Sequence, residues 1–407
     1  MHVTNSRTET GAQPGAGDHR AALLAGFLGW TLDAFDFFLV VMCLTAIGRE
    51  FHKSDAEMAV TLGVTLAFRP VGAFIFGLLA DRYGRRMPLM LDLVFYSVIE
   101  VLSGLAPNYA TFIVLRALFG IGMGGEWGVG ASLTMEKVPP WLRGLLSGVL
   151  QQGYAAGYLL AALCYYFLFG RLGWRPLFFL GGLPALLAVF VRFRVKESEV
   201  WRKTRHKTWG DLGRSIVSHW KLLLYIAALM TGMNLASHGT QDMFPTLLER
   251  KWHFRPEQRA ALTAFSMVGA ICGGTLFGLF SDWWGRRRAM VTALLMAVLV
   301  VPLWAFAPSV AWLWVGAFLI QFLVQGAWGV APAHLAELSP DSVRGFLPGF
   351  GYQCGVAVAA TAPYAEAVIA RRTGYAAAMA GVAASVFLLA AVLAAAGKER
   401  RGVTFGE

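Results

Sequence analysis

The feature that most constrains the fold is an internal repeat. The segment GLLADRYGRR begins at Gly77 and the similar segment GLFSDWWGRRR begins at Gly278, an offset of 201 residues. Two further groups keep this offset: Glu136, Arg143 and Gly144 with Glu337, Arg344 and Gly345, and Trp127, Gly128 and Val129 with Trp328, Gly329 and Val330. A register that stays constant over about 70 residues indicates a duplicated unit.

The composition indicates that this unit lies in a membrane. Of the 407 residues, 57% are hydrophobic and only 14% are charged, whereas soluble proteins carry about 25% charged residues. A bilayer span takes about 20 apolar residues. Twelve stretches are long enough: 21–47, 57–80, 86–105, 109–134, 143–168, 174–194, 222–247, 258–281, 288–306, 310–335, 345–369 and 374–396.

The sequence therefore predicts an all-α membrane protein with twelve transmembrane helices in two six-helix halves. We place the halves at 21–194 and 222–396, with a charged linker at 195–221. Residues 1–20 have no apolar core and are expected to form a disordered tail rather than a signal peptide, and residues 397–407 form a second tail. The basic breaks alternate sides consistently if both termini are cytoplasmic.

The repeated loop also carries a family resemblance. G-x-L-A-D-R-x-G-R-R is the loop signature of the major facilitator superfamily, and it is present from Gly77 to Arg86. The resemblance implies two parallel six-helix halves with a binding site between them near the midplane. It also implies a gate latch built from Asp81, Arg82, Arg85, Glu136, Arg143, Asp282, Arg286, Glu337 and Arg344. The alternative is a basic loop that only sets topology.

A polar helix face marks the candidate binding site. Asn234, Ser237, His238, Gln241 and Asp242 fall within about 140° of one face of a helix. Such groups cost about 2–3 kcal/mol or more each when unpaired in lipid. The face therefore points into protein or a water-filled cavity, where it either binds a polar, ionisable molecule or only holds helices together.

The same stretch resembles a narrower family. N-x-x-[ST]-H-x-[ST]-Q-D-x-x-x-T is the signature of the fungal lactate/pyruvate–proton symporters within the sialate:proton symporter family, and every fixed position is present between Asn234 and Thr246. The resemblance implies proton-coupled import of a small monocarboxylate by alternating access. Sialic acid or another acidic sugar is the first alternative, and an aromatic or dicarboxylic acid is a further one.

Positions that differ between the halves are better candidates for function than duplicated ones. Six such pairs are Asp33/Asn234, Asp36/Ser237, Phe37/His238, Arg69/Ala270, Arg116/Ala317 and Glu126/Ala327. For proton coupling we therefore consider Asp33, Asp36, Arg116, Glu126, His238 and Asp242. Asp36 and Arg116 resemble the Asp–Arg couple of proton-linked sugar porters, and making or breaking such a pair would load or release a proton. His238 either takes a proton and shares it with Asp242, or stays neutral and donates to the substrate.

Arg69 is the candidate ligand for a substrate carboxylate. It precedes Gly77 by eight residues, which places it about 12 Å from the cytoplasmic boundary. A guanidinium near the midplane costs about 2.5–3.5 kcal/mol but can bind a carboxylate bidentately. The alternative is a structural ion pair with Asp33 or Glu126. The other predicted substrate contacts are Asn234, His238, Gln241, Gln152, Tyr154, Tyr352 and Gln353, of which those on the fifth and eleventh spans are equally plausible as packing residues.

Other classes of function have little support in the sequence. It contains no nucleophile motif, metal-ligand spacing or P-loop, so we expect neither an enzyme, a metal, a cofactor nor an ATP-driven pump; a membrane receptor is the alternative from another class. The net charge of +11 is spread over loops rather than forming a stripe, so we expect no nucleic-acid partner. The expected partners are a small organic anion, protons and membrane lipid, for a monomer in the plasma (inner) membrane.

Overall fold

The computed structural model describes residues 16–205 and 208–406, and within them every regular element is helical. The first half contains α1 (Ala16–Glu50), α2 (Asp55–Tyr83), α3 (Arg86–Gly104), α4 (Tyr109–Lys137), α5 (Arg143–Gln151), α6 (Gly153–Leu172), α7 (Trp174–Leu180) and α8 (Leu183–Arg194). Two short helices, α9 (Glu199–Thr204) and α10 (Trp209–Ser218), lie in the predicted linker.

The second half repeats this order. It contains α11 (Trp220–Gln241), α12 (Phe244–Trp252), α13 (Pro256–Trp284), α14 (Arg286–Ala305), α15 (Val310–Leu338), α16 (Leu347–Ala359), α17 (Ala362–Thr373) and α18 (Tyr375–Ala396). A single 3-10 turn precedes α5 and another precedes α16, at Pro140–Leu142 and Asp341–Val343. The predicted all-α membrane fold is confirmed.

Eleven stretches of the described residues are helical, long and apolar enough to cross a bilayer. The remaining predicted span, 345–369, is divided into α16 and α17, with Pro363 in the first turn of α17. Proline lacks the N–H that would continue the helix ladder, so it favours a break here. A similar break separates α11 from α12, where Pro245 lies in the first turn of α12. This second break lies beside the polar face that marks the candidate site.

Part of the segment predicted to be a disordered tail is helical. Helix α1 begins at Ala16, so the prediction was wrong for residues 16–20; residues 1–15 lie outside the described part of the chain. Asp18 in the first turn of α1 accepts a hydrogen bond from Lys137 of α4 at 3.1 Å. This contact extends α1 beyond its apolar stretch.

Glycines set the close approach of helices in both halves. A Cβ added to Gly72 of α2 would lie 1.7 Å from the carbonyl oxygen of Ile121. At the repeat position, a Cβ on Gly273 of α13 would lie 1.8 Å from that of Phe322. Only a residue without a side chain fits at these crossings, so the duplication extends to helix packing.

The halves themselves meet at one end of the bundle. We call it the loop end, because it carries the repeated loops at 81–86 and 282–287. A Cβ on Gly77 would lie 3.2 Å from the carbonyl oxygen of Gly345, and one on Gly278 would lie 2.5 Å from that of Gly144. Gly77 and Gly278 are repeat partners, as are Gly144 and Gly345. Each half therefore contacts the other through the same pair of positions.

Candidate transport site

At the loop end, an aspartate of each half binds backbone of the other half. The carboxylate of Asp81 accepts hydrogen bonds from the N–H groups of Gly345 and Phe346, at 2.8 and 2.9 Å. Its repeat partner Asp282 accepts the equivalent bonds from residues 144 and 145, at 2.8 and 2.9 Å. Hydrogen bonds to an ionised acceptor are among the stronger ones, so these contacts hold the loop end closed.

A buried ion-pair network surrounds the two aspartates. Its pairs are Arg85–Asp81 at 2.5 Å, Arg85–Glu136 at 3.0 Å, Arg286–Asp282 at 2.7 Å, Arg286–Glu337 at 2.9 Å, Arg143–Glu337 at 3.1 Å and Arg344–Glu136 at 3.5 Å. The last two pairs cross between the halves, and their side chains are at most 2% exposed. The guanidinium carbon of Arg82, also predicted to belong to the latch, lies 5.2 Å from the centroid of the Tyr83 ring.

The segment after α18 packs into this network. The ring centroid of Phe405 lies 3.8 Å from the guanidinium carbon of Arg143 and 3.7 Å from that of Arg344. Arg143 also donates to the carbonyl oxygen of Val403 at 3.0 Å, and the N–H of Gly402 donates to Glu337 at 3.3 Å. Sequence analysis described residues 397–407 only as a tail and missed this contact.

A cavity of about 370 Å³ lies between the halves, toward the opposite end of the bundle. Its apolar wall includes Phe37, Phe38, Leu62, Leu66, Phe244 and Trp304, and its polar wall includes Tyr154, His238, Thr240, Gln241, Asp242 and Gln321. The side chains of His238 and Asp242 are 26% and 33% exposed, in contrast to the buried network at the loop end. Within the described residues, the cavity is therefore open toward the opposite end and closed toward the loop end.

The polar wall is organised around the end of α11. Nδ1 of His238 lies 2.9 Å from a carboxylate oxygen of Asp242, one helical turn further on. The side-chain amide of Gln241 donates to Oε1 of Gln321 on α15 at 2.9 Å, and the Gln321 amide donates to Oγ1 of Thr240 at 3.3 Å. Because α11 ends here, these side chains lie beside the break before α12.

Aromatic rings separate the cavity from the loop end. The Tyr352 ring on α16 lies 4.5 Å from the Trp127 ring and 5.7 Å from the Trp328 ring, centroid to centroid. Trp30 stacks on Tyr154 at 5.6 Å. The guanidinium carbon of Arg69 lies 5.9 Å from the centroid of the Tyr352 ring. We call this cluster, formed by Trp30, Trp127, Tyr154, Trp328 and Tyr352, the aromatic floor.

Several predicted substrate contacts do not line the cavity. Tyr154, His238 and Gln241 do, whereas Arg69, Asn234, Gln152, Tyr352 and Gln353 are buried outside it. The amide of Asn234 donates to the carbonyl oxygen of Met230 on its own helix at 2.8 Å, and that of Gln353 donates to Gly124 at 3.3 Å. Helix periodicity placed Asn234 and Gln353 on helix faces that were expected to line the cavity. Their side-chain amides instead donate to backbone oxygens. In this conformation these five residues lie outside the cavity lining, and their role in substrate binding stays a prediction.

The first half holds a cluster of buried acids. Its members are Asp33 and Asp36 of α1, Asp92 and Glu100 of α3, and Glu126 of α4, each at most 1% exposed. Within the described residues, neither carboxylate oxygen of Asp33, Asp36, Asp92 or Glu126 has a hydrogen-bond partner. A buried carboxylate without a partner is costly, and uptake of a proton removes much of that cost. These acids are therefore chemically suited to carry protons.

The predicted Asp36–Arg116 pair is not formed. Arg116 instead binds Glu100 of α3 at 2.6 Å and also donates to the hydroxyl of Ser103. Asp36 and Arg116 were paired from the sequence by resemblance to proton-linked sugar porters, and α3 was not considered as a competing source of carboxylates. The predicted alternative, an ion pair of Arg69 with Asp33 or Glu126, is also absent from the ion pairs of the described residues.

Three residues of the site, Asp92, Glu100 and Gln321, were not predicted, although comparison of the two repeats marks each of them as different between the halves. Asp92 and Glu100 correspond to Ala293 and Val301, and Gln321 corresponds to Gly120. Applied to the third and tenth spans, the same comparison of halves would have selected them.

Two helical halves around a cavity that is accessible from one end and sealed at the other define a membrane transport protein. The chain belongs to the Major Facilitator Superfamily, whose family model matches residues 26–251. A second model, described as sugar (and other) transporter, matches residues 221–399. The chain is thus a transporter and not an enzyme.

Among its relatives is a carboxylic acid transporter protein homolog of Saccharomyces cerevisiae, 28% identical over 85% of this chain and 61% of the relative. The chain thus spans less than two thirds of that relative's length. A probable 4-methylmuconolactone transporter of Cupriavidus pinatubonensis is 30% identical over 90% of this chain and 87% of the relative. The crystal structure of the human organic anion transporter MFSD10 (TETRAN) is similar in fold, with a TM-score of 0.79 and 18% identity over 92% of this chain and 99% of that one.

Proposed function

We propose that the chain imports a small monocarboxylate, such as lactate or pyruvate, together with a proton by alternating access. The observation that carries the proposal is the His238–Asp242 contact in the wall of a cavity that is open toward the end of the bundle opposite the loop end. When the imidazole is protonated it attracts an anion, and the neighbouring carboxylate stabilises that charge. Uptake of a proton and of an organic anion would therefore favour each other.

The other polar groups of the cavity suit the rest of such a substrate. The Gln241–Gln321 pair offers amide donors and acceptors to a hydroxyl or keto oxygen beside the carboxylate. Arg69 lies behind the aromatic floor in this conformation, and we propose that it meets the carboxylate after the floor has parted. The cost of a guanidinium at this depth supports a functional role.

The size of the cavity favours a second candidate, a ring-bearing organic acid. One water occupies about 30 Å³ in the liquid, so a cavity of about 370 Å³ has room for a solute much larger than lactate. Phe37, Phe38 and Trp304 would pack against an apolar ring. An acidic sugar such as sialic acid also fits this volume, but it would leave much of the aromatic wall against hydroxyl groups.

The charges at the loop end support a cytoplasmic orientation for it. The loops at 81–86 and 282–288 carry an excess of arginine, and loops rich in arginine and lysine remain on the cytoplasmic side of the membrane. We propose that the cavity faces the exterior, that both termini are cytoplasmic, and that the chain acts as a monomer in the plasma (inner) membrane. A cysteine introduced at Thr373, which is exposed where α17 ends, should react with an impermeant reagent outside intact cells.

Transport by purified protein in liposomes tests the proposal. With an inwardly directed proton gradient, labelled lactate should accumulate above its equilibrium level and lose this accumulation when an ionophore collapses the gradient. Unlabelled pyruvate, benzoate, muconate and sialic acid should then be compared as competitors. Accumulation without dependence on the gradient would contradict proton coupling, and competition only by the ring-bearing acids would favour the second candidate.

A further inference from the structure

Two acidic side chains converge where the sixth span is broken. Gly181 lies between α7 and α8, and a Cβ added to it would lie 2.2 Å from Cγ of Glu100 and 2.9 Å from Oδ1 of Asp36. The two side chains come from α3 and α1, yet both occupy the space that a side chain at residue 181 would need. They therefore belong to one buried pocket.

One guanidinium faces this pocket. Nη2 of Arg116 donates to Oε2 of Glu100 at 2.6 Å, whereas Nε and Nη1 have no hydrogen-bond partner within the described residues. The Arg116 guanidinium carbon lies 4.6 Å from the centroid of the Phe119 ring and 5.6 Å from that of Phe178, and Nη2 also donates to the hydroxyl of Ser103. It has donors left for a second carboxylate.

Charge balance decides the protonation of the pocket. A desolvated pocket in a membrane protein is stable when its formal charges cancel. Arg116 cancels the charge of one carboxylate, so the other must carry a proton to be neutral. In this structure Glu100 holds the guanidinium and Asp36 is the acid without a partner.

Resting on the proposed proton coupling, we infer that Glu100 is a proton-coupling residue that competes with Asp36 for Arg116. The carboxylate without the guanidinium binds one proton and becomes a neutral acid. When Arg116 moves to that acid, the proton is released to water and the other carboxylate takes one up. The pocket stays neutral at each step, and one proton is exchanged for each transfer of the guanidinium.

The groups around the pocket are compatible with this exchange. Asp33 and Cys43 of α1 and Tyr96 of α3 lie within electrostatic range of Asp36 or Glu100. From the sixth span, the pocket is faced by Gly181 and by the Phe178 ring next to Arg116. Asp33 is the other acid near this pocket, and it lies within electrostatic range of Arg69. The two form no ion pair, but the charge of Arg69 offsets part of that of Asp33.

The inference predicts that two single neutralisations have the same effect. In the Glu100→Gln variant Arg116 pairs with Asp36, and in the Asp36→Asn variant it pairs with Glu100. In each variant the pocket is neutral without binding a proton. We expect each variant to lose gradient-driven accumulation by about tenfold or more while exchange of internal for external substrate stays within about threefold. Ser97→Ala is the control, because this buried hydroxyl on α3 bonds only to its own helix at Leu93.

Two outcomes would overturn the inference. One is normal accumulation by Glu100→Gln with loss in Asp36→Asn, which would leave Glu100 as a structural partner. The other is loss of exchange as well as accumulation in a folded Glu100→Gln protein. If wild-type protein itself shows no gradient-driven accumulation, the proposed function fails instead, so the two failures are distinguishable.

A second variant keeps the inference testable if Glu100→Gln does not fold. Gly181→Ala changes no charge but places a methyl group between the two carboxyl side chains. We expect it to shift the pH profile of exchange by about half a unit or more, with Gly182→Ala as the neighbouring control. An unchanged profile in Gly181→Ala would overturn the inference.

Discussion

The two halves of this transporter are alike at the loop end and different in the middle of the membrane. At the loop end Asp81, Arg85 and Glu136 have the same partners as Asp282, Arg286 and Glu337. In the middle, the acids of the first half correspond to neutral residues in the second: Asn234, Ser237, Ala293, Val301 and Ala327. Duplication has therefore preserved the ion-pair network at the loop end, while the ionisable groups in the middle of the membrane have diverged.

The divergence separates two chemical tasks. Within the described residues, the first half holds four acids without a hydrogen-bond partner. It also places Arg69 and Arg116 where charge is costly, which suits the handling of protons. The second half contributes the amides, the imidazole and a carboxylate that face the cavity. Among the described residues that line the cavity, the titratable pair contributed by the second half is His238 and Asp242.

The largest effect should come from substitutions in the ion-pair network at the loop end, where the two halves are alike. Arg85→Ala leaves Asp81 buried without its cation and leaves Glu136 with Arg344 alone. Arg286→Ala likewise leaves Asp282 without its cation and Glu337 with Arg143 alone. Removing one partner of a buried ion pair costs about 3–5 kcal/mol. Thermal unfolding in detergent should show similar large losses for both variants. A loss in only one of them would show that the halves are not equivalent at the gate.

Arg69→Lys should have the next largest effect, on transport rather than folding. A lysine keeps the charge but cannot bind a carboxylate bidentately, so we expect uptake to fall by about tenfold or more. The matched control is Ala270→Ser at the repeat position, which lies buried in the second half. Near-normal uptake by Arg69→Lys would remove the carboxylate-binding role.

His238→Ala tests where the proton enters. If the imidazole accepts the external proton, the variant should flatten the rise of uptake between about pH 7.5 and about pH 5.5, which bracket the ordinary titration of histidine near 6.5. His253→Asn is the control, because His253 is an exposed residue at the end of α12. An unchanged pH profile with weaker apparent affinity would make His238 a substrate ligand and leave proton entry to the acids of the first half.

Gln321→Ala should have a moderate effect confined to substrate affinity. It removes the acceptor of Gln241 and the donor to Thr240, and a typical hydrogen bond contributes about 1 kcal/mol. We expect the apparent KM to rise by about three- to tenfold with the pH profile retained, because an amide does not titrate. A changed pH profile would contradict the division of tasks between the halves.

Phe405→Ala should have the smallest effect. Phe405 lies between Arg143 and Arg344, which are partners in the repeat, so it contacts equivalent points of both halves. A cation–π contact contributes about 0.5–2 kcal/mol, more when it is desolvated, and its loss should raise the reactivity of a cysteine placed at the loop end by about two- to fivefold. Unchanged reactivity, with Phe306→Ala as the control, would limit the segment to covering the loop end.

The sequence was sufficient for the fold because its repeat and its apolar stretches are long-range regularities. They predicted the two halves and the reciprocal loops around Asp81 and Asp282. The sequence did not predict which partner each side chain binds. Arg116 has carboxylates on both α1 and α3 within reach, and helical periodicity gives the face of a residue but not the direction of its side chain. For the same reason Asn234 was assigned to the cavity, although its amide bonds to Met230.

The reciprocal latch has a consequence for biosynthesis. The two backbone groups that bind Asp81 lie 264 and 265 residues later in the chain. While the first half is being inserted, Asp81 can meet Arg85 but not its partners in the second half. The gate is therefore among the last parts of the molecule to be assembled, and translation stalled before Gly345 leaves a first half with an aspartate exposed to whatever chaperone or lipid headgroup lies beside it.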